Sequence, residues 1–443
     1  MSNTKERFIP NNTNNKMTRK SNFELLRILA MLLIIASHWG WLSLKIDINS
    51  LSKSRYTFYV LFRSCGQVGV VLFVLISGYF MCTKKFNIMS LVKLFMQIVF
   101  LNLTALFIHF LFSKTITGYS FDFQKSTLLN IFLPFQGGYW FVYAYSFLFL
   151  LSPLLNIAIS KLNGKQFIYI LIILIFFASI NQSFFGGSYI IMTFILLYTI
   201  ASFIRLYPQY FVIKKLHLFI IITCLGFIYA KATTRGISPS IQENNNIILI
   251  CMCTFIFLWF SKLNLGTNKI INLISGTTFG VYILHSCMFF GTRLWFDVLK
   301  QHIFITSKFF FIHAILSVLI VFITCALIDL FRKYIFEKPI DKFITKLFGN
   351  VINSINLTFP KLEVSIHENQ PANYTFLLFL LQTITTYIIS KVIFNRFLKF
   401  TNLISYAIFI VLNLLIVIIV YTLRHLKFNK LKNLQKQTKK EQS

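Results

Sequence analysis

Residues 24–41 read ELLRILAMLLIIASHWGW, and this stretch decides what kind of fold the chain adopts. It is apolar almost throughout, with no proline, and long enough as an α-helix to cross most of a hydrocarbon layer about 30 Å thick. Two ionisable groups sit inside the apolar run. Arg27 and His38 are eleven steps apart, and at about 100° per residue eleven steps end within about 20° of three full turns. Both side chains therefore share one helix face, with His38 roughly 16 Å further along the axis. Ionisable groups at that depth are expensive in lipid and usually face a protein interior or a polar cavity. An arginine snorkelling to headgroups, beside a histidine satisfied by a neighbouring helix, produces the same pattern. The pair alone leaves both readings open.

The rest of the chain repeats the run. Of 443 residues, 56% are hydrophobic and 12% charged, where soluble domains carry about 25% charged residues. With a mean hydropathy of +0.72, the chain reads as an integral membrane protein. Apolar runs near twenty residues point to helices and exclude a barrel. The expected fold class is an all-α polytopic membrane protein with about ten core transmembrane helices. They fall near 23–43, 62–82, 90–112, 139–158, 166–183, 188–206, 215–231, 246–261, 270–290 and 306–331. A polar tail (1–22) precedes this core, which ends at 345. A polar, irregular linker (346–373) follows, then a C-terminal two-helix hairpin and basic tail (374–443), with spans near 374–393 and 402–423.

Lysine and arginine number 43 against 12 acidic residues, a formal charge of +31. They concentrate in alternate connecting segments by about two to one, the pattern of the positive-inside rule with both termini cytoplasmic. No basic-aromatic module or zinc-knuckle spacing accompanies them, so nucleic acid is not an expected partner. The amino-terminal stretch MSNTKERFIPNNTNNKMTRKSN lacks a short apolar core and reads as a cytoplasmic tail, not a cleaved signal. The cysteines lie in or beside apolar runs without paired loop spacing, so neither a disulfide framework nor a metal site is expected. This topology places Arg27 at the cytoplasmic end of the first span, with His38 on the way inward.

Several further segments carry candidate chemistry. Glu24 stands one turn before Arg27, at a spacing that allows an ion pair. Gly66, Gly69, Ser77 and Gly78 give the second span small-residue faces suited to close helix packing. Lys84, Lys85 and Lys93 lie at the expected cytoplasmic mouth, as headgroup contacts or as point charges for phosphates. Tyr139, Trp140, Tyr143 and Tyr145 form an interfacial aromatic belt or a sugar-binding platform. His285 falls deep in the ninth span, with Tyr282 on its face and Ser275 nearby, and is either a core histidine or a functional one. The spans hold almost no carboxylate apart from Asp329, so a group titrating near neutral pH has to be histidine. No Walker loop, GxSxG elbow or HExxH motif is present in the sequence.

In order, SNFELLRILAMLLIIASHW, GQVGVVLFVLISGYFM, GYWFVYAYSFLFLLSPLLN, FGVYILHS and FEKPID resemble the acyltransferase-3 family of membrane acyltransferases, over about residues 21–345. The resemblance implies a multipass enzyme of the plasma membrane that moves an acyl group, often acetyl in this family, from cytosolic acyl-CoA to a hydroxyl of a surface or capsular polysaccharide or its precursor. Arg27 and His38 match the family's essential pair. The basic R-x-x-R motif of the third helix is SLVK here, so Lys93 matches only its second position, with Ser90 at the first. The implied roles are catalytic for His38 and Arg27, and acyl-CoA binding for Arg27, Lys93, Lys84 and Lys85. Acceptor binding falls to Tyr139, Trp140, Tyr143, Tyr282 and His285. No tightly bound cofactor is implied: acetyl-CoA or another acyl-CoA is a co-substrate. The implied partners are the bilayer, a carbohydrate acceptor and glycan-assembly proteins of the envelope. The alternative class is a transporter or flippase of a lipid-linked glycan, which would also use a buried cation and many helices.

Overall fold

The computed structural model describes residues 20–41, 51–116, 119, 121, 131–132, 139–179, 189–211, 221, 247–287 and 289–358. All belong to the amino-terminal of the two units into which the chain divides, Met1–Glu368. Among the described residues the protein is all-helical, and five of the helices are long and apolar enough to cross a membrane. The longer helices are α1 (Ser21–Trp41), α2 (Lys53–Met81), α3 (Met89–Thr115), α4 (Trp140–Ser160), α5 (Gly164–Ser179), α6 (Tyr189–Leu206) and α7 (Ile247–Ser261). Two short helices follow, α8 (Lys269–Ser275) and α9 (Thr278–His285), and the last is α10 (Phe310–Thr358). The expected spans 215–231, 374–393 and 402–423 lie largely or wholly outside the described residues.

Helix α1 occupies the centre, packed against α2, α7, α8, α9 and α10. Two glycines let α2 approach it closely: a methyl group on Gly66 would overlap Ser37, and one on Gly69 would overlap the Ala30 carbonyl. Gly78 does the same for α6, since a methyl there would lie 3.0 Å from the Tyr198 backbone. The small residues singled out in the second span are therefore packing positions.

Both ends of α1 are tied down. At the start, the Ser21 amide donates to the Gly266 carbonyl (3.0 Å) and the Ser21 hydroxyl to Asn272 Oδ1 (3.0 Å). The Asn22 side chain donates to the Phe260 carbonyl at 2.9 Å. At the far end, Tyr59 donates to the Gly40 carbonyl and Gln301 Nε2 to the Trp39 carbonyl at 2.8 Å. These side chains satisfy carbonyls that a helix C-terminus leaves without partners.

Two expectations need correction. The span 270–290 is not one helix but two, α8 and α9, broken at Gly276–Thr277. Glycine weakens the helix there. The hydroxyls of Thr277 and Thr278 turn back onto the carbonyls of Ile274 (2.7 Å) and Ser275 (2.8 Å), competing with the backbone ladder. The Gly276 carbonyl accepts from Lys333 of α10, which satisfies a group the break would otherwise orphan. Helix α10 also runs beyond the expected span and on to Thr358, into the 346–373 stretch read as irregular. Apolar residues at Leu347, Val351 and Ile355 recur at helical spacing there, and that periodicity outweighs the Asn/Ser content.

Outward faces are apolar. On α4, Trp140, Tyr143, Phe147, Leu150 and Leu154 are exposed at i, i+3, i+7, i+10 and i+14. On α10, Ile312, Ile315, Leu316, Leu319, Ile320 and Ile323 are exposed likewise. Stripes of this kind suit contact with lipid rather than water. Within α4, Pro153 cannot donate to the Phe149 carbonyl, and the Ser152 hydroxyl does so instead, at 2.7 Å.

Candidate active site

The face of α1 that carries Arg27 and His38 is lined by the broken segment α8–α9, which runs parallel to it. Arg27 Nη1 lies 3.4 Å from Ser275 Oγ, and His38 Nδ1 lies 3.5 Å from Ser286 Oγ. Ser275 and Ser286 are themselves eleven residues apart, so both polar residues of α1 meet partners at one constant register.

At the first station, Arg27 Nη1 donates to Glu24 Oε2 at 2.5 Å, and the Ser275 hydroxyl donates to the same oxygen. Glu24 is buried whereas Arg27 is only part-buried. The carboxylate thus holds the guanidinium in place from below while leaving part of it accessible, as the i,i+3 spacing predicts. Tyr145 of α4 is half-buried and stacks on Phe141, with 6.0 Å between ring centroids.

At the second station, the rings of His38 and His285 are 4.9 Å apart at 46°. Ser286 Oγ stands between them, 3.5 Å from His38 Nδ1 and 3.4 Å from His285 Nε2. His285 is fully buried and its Nδ1 lies 2.5 Å from the Val281 carbonyl. His38 is half-buried. Ser37, its neighbour, points at Gly66 and takes no part.

Of the other site candidates, Tyr282 packs on His285 (6.2 Å between ring centroids) and on Tyr139 (6.1 Å). The Tyr139 hydroxyl donates to Asn102 Oδ1 at 2.7 Å, joining α4 to α3. Trp140 and Tyr143 are not brought to this site: they stand on the outward stripe of α4, whereas Val142 lies on its buried side and Tyr139 caps the helix with a non-helical backbone that turns it inward. Lys84 and Lys85 are exposed in the turn after α2. Lys93 is exposed on α3 and pairs with Asp341 of the FEKPID segment at 2.5 Å. Asp329 is buried on α10, paired with Arg332 at 2.6 Å and with Gln97 at 3.2 Å, in space that Gly280 leaves open. Ser286 is the member that sequence reasoning did not single out. Its position beside His285 was visible, but its position beside His38 was not.

The fold is thus a helical bundle whose central helix presents an ion-paired arginine and a half-buried histidine along one face. The chain matches the family model described as an acyltransferase domain over residues 20–332, and it belongs to the acyltransferase-3 family of membrane acyltransferases. No curated protein and no solved structure matches it.

Proposed function

We propose that the protein is a membrane O-acyltransferase that takes an acyl group, acetyl in the simplest case, from acyl-CoA on the cytosolic side. It passes that group to a hydroxyl of a cell-surface glycan or its precursor. The observation that carries this reading is the paired register of Arg27 with Ser275 and of His38 with Ser286 and His285. An anchored guanidinium offers planar, bidentate recognition of a phosphate or thioester oxygen. An imidazole at the deeper station supplies a basic nitrogen, which acts as nucleophile on the thioester or as base on the acceptor hydroxyl. Lys84 and Lys85, exposed at one end of α2, add positive charge for the donor phosphates. Lys93, engaged with Asp341, is the weaker donor contact.

The test uses membrane vesicles from expressing cells, which supply their own glycans, together with radiolabelled acetyl-CoA. Free thiol release and base-labile label on glycan are measured together. His38→Ala and Arg27→Ala are expected to abolish both while membrane insertion persists. Wild-type turnover by either variant, or glycan movement without thiol release, would overturn the reading.

A further inference from the structure

We propose that Ser286 and His285 form a proton relay that sets the protonation of His38 and gives it the role of base. Both are then positioning residues for acyl transfer, an inference that rests on the acyltransferase reading above. The argument starts from one fixed point. A carbonyl oxygen only accepts, so the 2.5 Å contact from His285 Nδ1 to the Val281 carbonyl places a proton on Nδ1. Neutral His285 then presents a lone pair at Nε2. Ser286 has a single proton and donates it to that lone pair, 3.4 Å away. The same Ser286 oxygen is left to accept from His38 Nδ1 at 3.5 Å. His38 therefore carries its proton on Nδ1 and keeps Nε2 free. One backbone carbonyl dictates the tautomer of a ring on another helix. Both separations are long for hydrogen bonds, as is common before substrate draws catalytic groups together.

The same chain moves charge without a carboxylate. As the acceptor oxygen bonds to the acyl carbon and the carbon–sulfur bond breaks, His38 Nε2 takes the hydroxyl proton. The Nδ1 proton passes to Ser286 Oγ, and the Ser286 proton passes to His285 Nε2. His285 becomes the imidazolium, still held by Val281. The reverse shifts return one proton through His38 Nε2 to the departing thiolate. Thioester and alcohol become ester and thiol, with nothing else consumed. At rest every member of the chain is neutral, which suits this depth because an unpaired buried charge is costly there, and the imidazolium exists only until the proton returns.

The vesicle assay with radiolabelled acetyl-CoA separates this from a structural role. Ser286→Ala is expected to lower kcat by about ten- to a hundredfold, with KM for acetyl-CoA unchanged. Ser286→Thr, which restores a hydroxyl, is expected to recover most of the loss. His285→Gln should match the Ala variant, and the double variant should be no worse than the poorer single one, because a chain broken once is fully broken. Wild-type kcat in Ser286→Ala, failure of Thr to rescue, or multiplicative losses in the double variant would overturn the relay. If Ser286→Ala does not yield a monodisperse protein in detergent, His285→Gln and Ser286→Thr carry the same test. A silent wild-type protein would overturn the acyltransferase reading itself. An active wild type, a silent His38→Ala and a normal Ser286→Ala would remove the relay alone.

Discussion

Gly69→Ala tests whether the approach of α2 to α1 sets the site. The added methyl would overlap the carbonyl oxygen of Ala30 and lie 2.6 Å from Ile34 Cγ1, against the 3.4 Å at which ordinary contact begins. A backbone carbonyl inside a helix cannot swing aside, so α1 has to retreat by about 1 Å, with overpacking strain of about 1–3 kcal/mol. Arg27 and His38 ride on α1, whereas Ser275 and Ser286 do not. A shift of this size stretches both stations, and a misplacement of about 1 Å costs on the order of a hundredfold in rate. Thiol release from acetyl-CoA by vesicles gives the rate, and the thermal midpoint in detergent gives the strain. The control is Gly349→Ala near the end of α10, where the added methyl meets only Thr345 at 3.9 Å. That change should leave activity intact and raise stability by about 0.5–1 kcal/mol. Wild-type rate and midpoint in Gly69→Ala would refute the claim that this contact positions the site.

Two more outcomes follow from the ends of the polar face. Ser275→Ala removes one of the donors to the buried Glu24 carboxylate and loosens Arg27, a loss of about 1–3 kcal/mol; KM for acetyl-CoA should rise about fivefold or more in thiol-release titrations, and an unchanged KM would count against Arg27 as the donor contact. Lys93→Ala breaks a part-exposed ion pair worth less than about 1 kcal/mol; KM should change less than about threefold, and a rise beyond about tenfold would show that the ammonium leaves Asp341 for the donor.

Much of this was readable one segment at a time. Apolar run length marked α1 to α7 and the start of α10, because crossing a hydrocarbon layer requires it. Spacing along a single helix paired Glu24 with Arg27 and put Arg27 and His38 on one face, because rotation per residue is a local property. The break at Gly276 was less legible. Its cause is partly local, in two threonine hydroxyls, and partly the Lys333 side chain of a distant helix. Trp140 and Tyr143 looked like company for Tyr139, yet aromatic character does not say which phase of α4 faces inward.

The sequence by itself determined that the chain is a membrane helical bundle and that its first helix carries an arginine and a histidine on one face. Only the tertiary structure decided what those two residues touch. Ser275 and Ser286 reach them because α8–α9 lies parallel to α1 in one register, held at the start of α1 by the Ser21 bonds to Gly266 and Asn272. That register is a property of packing between segments far apart in the chain. No local periodicity encodes it, and it gives a histidine that stands alone in its own segment Ser286 and His285 as neighbours.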